Sequence, residues 1–276
     1  MSSVSRDVLG GVEAGGTKFV CVTGLADGTI LQRERFDTRD PASTVADMRA
    51  FFDRVLHGGQ RLAAIGVAAF GPLELRRDHV AYGHIGVTPK AGWSHTDLVG
   101  PLAAFDVPVV IDTDVNGAAL GEYCWGAAKG LDTFVYITIG TGIGGGLVFG
   151  GQLFRGAHGV AAEFGHLNIE PGGRLCACGN RGCWEQYASG NALVREARLL
   201  AAERRTEAQV LLDLGDGTPE GVEGQHVTIA ARKGDPVALA AFDSLARWLG
   251  QGIADVTSLL DPGCFVIGGG VSEAGD

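Results

Sequence analysis

No apolar run in the 276 residues approaches the roughly 20 residues that a membrane-spanning helix needs. The opening Met-Ser-Ser-Val-Ser-Arg-Asp lacks the apolar core of a secretory signal. Both absences make a cytoplasmic chain with no membrane partner the default. There is no run of Lys or Arg either, and the net charge is −10. A nucleic-acid binder needs a basic face to displace counterions, so no nucleic-acid partner is expected. Pro- or Ser-rich linkers, short-period repeats and low-complexity tracts are also missing.

Glycine is in excess: 45 residues, clustered at 10–16, 140–146, 150–159 and 268–270. That is about twice the usual share. Clusters at strand ends mark places where backbone approaches a ligand, whereas 150–159 reads as tight turns. The six cysteines are Cys21, Cys124, Cys176, Cys178, Cys183 and Cys264, three of them within eight residues. In a cytoplasmic chain such a cluster suits a metal better than disulfides, the alternative being reduced, unliganded thiols.

The length and a hydrophobic fraction of 46% allow one large or two modest domains. Residues 7–13, 18–24 and 29–36 read as strands, with a hairpin turn at Asp27-Gly28. Residues 41–56 read as an amphipathic helix with Ala46, Met48, Phe51, Phe52 and Val55 on one face. Buried strands follow at 61–69 and 107–112, and a helix at 114–128. Strands at 132–139 and 146–149 flank a glycine loop, and 264–267 is a last short strand. Helices are expected at 190–205 and 235–260, the latter with Leu239, Phe242, Leu245, Leu249, Ile253 and Val256 at helical spacing. The acidic, glycine-containing 207–225 reads as a surface connection. The alternation predicts two α/β domains facing a cleft, 1–113 and 114–276.

The segment Gly10 to Lys18 lies on the turn between the first two strands. Its glycines let N–H groups close around phosphate oxygens, Thr17 can donate a hydroxyl, and Glu13 can hold a Mg²⁺-bound water. It is no Walker A loop, which opens a helix with Gly-Lys-Ser/Thr, and taken alone such a segment is more often a plain hairpin. Gly140 to Gly146 satisfies G-x-G-x-x-G, but Leu147-Val148-Phe149 continues as strand. A strand–loop–strand phosphate clamp therefore fits better than a dinucleotide site. Gly268-Gly269-Gly270 would let an adenine or ribose lie against bare backbone. In Asp112 to Glu122, which joins a buried strand to a helix, Asp114 is either a helix N-cap or a carboxylate that orients and deprotonates an alcohol during phosphoryl transfer.

Together these residues resemble the ROK family, bacterial sugar kinases and related repressors. The resemblance is carried by Gly11 to Lys18, Asp112 to Glu122, and Gly165-His166 through Cys176-Ala-Cys178-Gly-Asn-Arg-Gly182-Cys183-Trp-Glu185. It implies an α/β, two-domain actin-like ATPase (ribonuclease H-like) fold with an interdomain cleft. The implied activity is ATP-dependent phosphorylation of the 6-hydroxyl of a hexose, by a homodimer. Asp114 would be the base, and Thr113, Glu163, His166 and Glu185 would contact the sugar. A structural Zn²⁺ would sit on His166, Cys176, Cys178 and Cys183. ATP with Mg²⁺ would be held by Gly15, Gly16, Thr17, Lys18, Thr138, Gly140, Thr141, Gly142, Gly268, Gly269 and Gly270.

Glu13 to Phe19, Thr88 to Trp93 and Asp112-Thr113-Asp114 look like the fructokinase branch, where glucokinases have Glu-Asn-Asp. Residues 160–166 and 183–189 look like actinobacterial glucokinases. Fructose is therefore expected first and glucose second, selected at Phe70-Gly71-Pro72, Thr88 to Trp93 and Thr113. Repressors of the family carry a helix-turn-helix domain ahead of the first loop, where only about ten residues stand here, so a kinase is expected. Family members usually continue past position 276 with a helix that packs on the small domain. The sequence thus reads as a fragment with apolar surface uncovered.

Overall fold

The computed structural model of the protein describes residues 7–272. In β1 (Asp7–Ala14) side chains alternate, burying Val8, Val12 and Ala14 on one face. It is the middle strand of a five-stranded sheet ordered β3 (Ile30–Asp37), β2 (Lys18–Gly24), β1, β4 (Arg61–Ala69), β5 (Val109–Thr113). β1, β2 and β3 are antiparallel, and β4 and β5 run parallel to β1. The hairpin forms at Asp27-Gly28, with Asp27 Oδ1 accepting from Thr29 N at 2.9 Å.

A parallel β4 needs a crossover, which α1 (Pro41–His57) supplies. Asp40 caps it, accepting from Ser43 N at 2.9 Å, with Pro41 in the first turn. Its buried face is Thr44, Met48, Phe51, Phe52 and Val55. The expected Ala46 is exposed. Thr44 is tolerated inside because its hydroxyl donates to Asp40 O at 2.8 Å and accepts from Arg39 N at 3.0 Å. Trp93, expected among the sugar-selecting positions, is instead fully buried in this core. It lies 5.6 Å from both the Phe19 and Phe70 rings and donates its indole N–H to Arg39 O at 3.0 Å.

The chain divides into two compact units. One runs to Leu131 and takes in Arg155–Ala161; the other holds Asp132–Phe154 and the residues from Ala162 on. The expected break at residue 113 falls inside the first unit. α2 (Asp114–Trp125) follows β5 without a linker and packs on β4, where a Cβ on Gly117 would sit 2.5 Å from that of Ala68.

The second unit has a four-stranded sheet ordered β8 (Gln152–Leu153), β7 (Ile143–Phe149), β6 (Phe134–Ile139), β9 (Phe265–Gly268). β6 runs antiparallel to β7 and parallel to β9. β7 starts at Ile143 rather than 146, because Gly144, Gly145 and Gly146 pair with Thr138, Ile137 and Tyr136. The glycine loop shrinks to Gly140–Gly142.

Helices α3 (Glu185–Ala188), α4 (Gly190–Glu203), α5 (Gln209–Leu214), α6 (Gly224–Arg232) and α7 (Pro236–Leu260) complete this unit. The expected surface connection at 207–225 is wrong: it contains α5, and Ala208, Leu211, Leu212 and Val222 are buried. α7 buries Val237, Ala238, Ala241, Leu245, Gly252 and Val256, while the expected Leu239 is exposed. Its bare Gly252 leaves room for the indole of Trp184, whose N–H donates to Trp248 O at 2.9 Å. Among the described residues no helix is long and apolar enough to cross a membrane.

Candidate active site

In the first unit the site is built where β5 becomes α2. Asp112, the penultimate strand residue, is buried and fully occupied. Its Oδ2 accepts from Arg155 Nε at 2.7 Å and faces Nη2 at 2.6 Å, and its Oδ1 accepts from Asn116 Nδ2 at 2.6 Å and Thr113 N at 2.9 Å. Thr113 is the N-cap, its Oγ1 accepting from Asn116 N at 3.2 Å. The cap alternative for Asp114 is thereby corrected: Asp114 is the first helical residue. Among the described residues its side chain accepts one hydrogen bond, from Val115 N to Oδ1 at 2.9 Å, and forms no ion pair. Solvent reaches its carboxylate, yet protein atoms crowd it. Loss of water lifts its pKa above the usual carboxylate value, the Val115 N–H opposes this, and the Glu13 charge adds to it.

The β1–β2 turn is tied back by Gly15 N to Lys18 O at 2.9 Å, Thr38 Oγ1 to Gly15 O at 2.7 Å and Thr38 N to Thr17 O at 2.9 Å. A Cβ on Gly15 would lie 2.7 Å from Lys18 O, whereas Gly16 faces open space. A cavity of about 650 Å³ in this unit touches Glu13, Asp112 and Arg155. Its remaining walls are mainly apolar, among them Val22, Val67 and Trp125, and Asp114 is not among them, so we do not assign it to the reaction.

In the second unit three chain segments meet at the end of β6. Gly140 O accepts from Gly190 N at 2.8 Å, at the start of α4, and Gly140 N donates to Gly142 O at 3.0 Å. Val271 N donates to Ile139 O at 3.0 Å. Gly269 (φ +94°) crosses Ile139 so closely that a Cβ would lie 2.6 Å from its carbonyl oxygen. Thr138 pairs with Gly144 and Gly268 across the sheet, and Thr141 is exposed at the loop tip. A cavity of about 410 Å³ adjoins, lined by Gly190, Leu193, Gly224, Thr228, Ile229 and Gly270. The N-terminus of the 14-residue α4 favours an anion here.

The same unit gathers His166, Cys176, Cys178 and Cys183, whose ligand atoms all lie within 4.8 Å of one another. Cys178 and Cys183 Sγ are 3.6 Å apart, and Cys176 Sγ is 3.7 Å from His166 Nδ1. Four bonds of about 2.0–2.3 Å to a tetrahedral zinc would set such edges at about 3.5–3.8 Å, so the residues fit that ion. The tight Cys-x-Cys-x₄-Cys loop closes through Gly179 (φ +90°) and Gly182 (φ +83°). Burial pushes the Cys183 thiol up to about 12 and Cys176 upward, while the Asn180 N–H holds Cys178 down. Thiols of this kind ionise together only beside a cation.

Glu163 is exposed ahead of the short 3₁₀ turn Phe164–His166, and Glu185 opens α3. Glu185 Oε1 is 3.1 Å from Cys176 Sγ, and a Cβ on Gly142 would lie 2.6 Å from its Oε2. The second glycine loop and the expected sugar carboxylate are therefore in contact. Asn116, Arg155 and Gln186 were not expected. Arg155 lies within the glycine-rich turns at 150–159, 43 residues from its partner, with no local pattern to mark it.

The ROK family pattern matches residues 9–276. The chain is 44% identical to a glucokinase of Streptomyces coelicolor over 267 residues, 96% of this chain and 83% of that one. It is 43% identical to a fructokinase of Zymomonas mobilis over 196 residues, 68% of this chain and 64% of that one. A ROK family glucokinase from Streptomyces griseus, solved with glucose and AMPPNP, superposes with a TM-score of 0.78 at 43% identity, covering 97% of this chain and 85% of that one. The expected actin-like ATPase fold is that of these kinases, and the chain belongs to the ROK family.

Proposed function

We propose that this ROK kinase transfers the terminal phosphoryl group of ATP to the 6-hydroxyl of a hexose, glucose ahead of fructose. The contrast between Asp112 and Asp114 carries the reading. Asp112 is neutralised by Arg155, while among the described residues Asp114 has no ion-pair partner, and its pKa is raised. An unpaired carboxylate of this kind suits a base that orients an alcohol and takes its proton. Thr17, Thr138 and Thr141, Lys18 and the three glycine loops would cradle the phosphates, Glu13 a water of Mg²⁺, and the 410 Å³ cavity the purine. Zinc on His166, Cys176, Cys178 and Cys183 would cross-link the loop that presents Glu163, His166 and Glu185 to sugar hydroxyls.

The sequence ranks fructose first on Phe70-Gly71-Pro72, Thr88 to Trp93 and Thr113. Trp93 is buried, and the Thr113 oxygen already caps α2, which weakens the last two arguments. The near full-length likeness to Streptomyces glucokinases supports glucose. The test is kcat/KM for glucose, fructose and mannose on one preparation, with ATP. Glucose is expected highest, and a higher value for fructose reverses the ranking. Thr113→Asn keeps a good cap and adds a longer amide, and is expected to raise the glucose-to-fructose ratio several-fold.

A further inference from the structure

Gln186 Nε2 lies 3.4 Å from Glu185 Oε1 and 3.7 Å from Cys176 Sγ. These two acceptors are themselves 3.1 Å apart. While Cys176 is a thiol its S–H supplies a hydrogen bond to the carboxylate. With a dication held by the cluster, Cys176 Sγ would be an acceptor facing a second acceptor, Glu185 Oε1. Three thiolates and a neutral imidazole leave a zinc site with a net negative charge, so the cation does not cancel the repulsion on Glu185. An amide nitrogen has two hydrogens, one for each acceptor.

The orientation of that amide is fixed from the other side. Arg195 Nη2 donates to Gln186 Oε1 at 3.2 Å, and Arg195 Nη1 and Arg174 Nη1 both donate to the Gln186 main-chain oxygen at 3.1 Å. Arg174 is held in turn by Glu196 at 2.9 Å and by the Tyr187 ring, 4.8 Å from its guanidinium carbon. A flipped amide would turn its oxygen on two anions and its nitrogen on a guanidinium.

We propose that Gln186 is a positioning residue, which lets a metal-bound thiolate and the sugar-binding carboxylate lie side by side. The proposal rests on the reading of the cysteine cluster as a zinc site and of Glu185 as a sugar contact. The test uses the whole chain, with Gln186→Glu, which keeps shape and the Arg195 contact but replaces the donors by a charge, and Gln186→Met, which removes the donors without adding charge. Zinc content, the rate of zinc transfer to a colorimetric chelator, KM for sugar, KM for ATP and kcat are measured. Gln186→Glu is expected to lose zinc at least about tenfold faster and to raise the sugar KM by about as much, with Gln186→Met smaller in both. KM for ATP should stay within about twofold, a split that general loosening of the fold would not give. Zinc loss or sugar KM within about twofold of wild type in both variants overturns the inference. Zinc-free wild-type protein overturns the metal reading and this inference together, whereas a zinc-bound wild type with unaltered variants overturns this inference alone.

Discussion

Asp112 and Asp114 lie two residues apart and meet different surroundings. The first spends both oxygens on Arg155, Asn116 and its neighbour's N–H, and the second is left with one backbone donor. If Asp114 is the base, Asp114→Asn is expected to lower kcat by about 10²–10⁴-fold. Its pKa is raised in the folded chain, so the ionised form costs stability above that pKa, and the amide removes the cost. The melting temperature at pH 7 should therefore hold or rise slightly, while near-normal kcat would end the assignment. The same shift fixes a pH dependence. With Asp114 as the base, activity would need its ionised form and would fall as pH drops through a value higher than that of an ordinary aspartate. Loss of water is the main cause and Glu13 a smaller one, so Glu13→Gln is expected to move the acid limb of kcat/KM to lower pH. A limb that stays put or moves up shows that another group sets it.

One cap in the second unit ties two helices together, α7 and α5. Asp235 is buried at the start of α7. Its Oδ1 accepts from Val237 N and Ala238 N, both at 3.0 Å, and its Oδ2 accepts from Leu211 N on α5 at 3.1 Å. Asp235→Ala leaves three buried donors unpaired and is expected to cost about 1–3 kcal/mol. In urea the midpoint should fall with the slope unchanged, and a midpoint within error of wild type contradicts the role. This cap also explains what could be read from the chain. Long periodic segments such as α1, α4 and α7 are set by local pattern, and so are the cysteine cluster and the first glycine turn. α5 is six residues long, set among acids and glycines, and is helical because Asp235 and a shared core hold it there. Asp112–Arg155 and Gln186–Arg195 are likewise tertiary pairings. Asp114 is legible as a candidate, and the cap alternative is removed by Thr113, whose oxygen accepts from Asn116 N.

The chain carries a net charge of −10 and no basic run, yet its nucleotide substrate is an anion. On the proposed reading, attraction would come from local groups such as helix α4's N-terminus, which act at short range. The summed charge of the rest repels the nucleotide at longer range. The two contributions differ in their response to salt. Screening shortens the reach of a charge from about 30 Å at 0.01 M ionic strength to about 8 Å at 0.15 M, which removes the distant repulsion before the contact attraction. KM for ATP at saturating Mg²⁺ is therefore expected to fall, by about twofold, between those ionic strengths. The hexose is uncharged, so its KM should not change and serves as the control in the same titration. A KM for ATP that climbs with salt would mean that clustered Lys and Arg side chains, rather than backbone, gather the phosphates, and would move the nucleotide site away from the glycine loops.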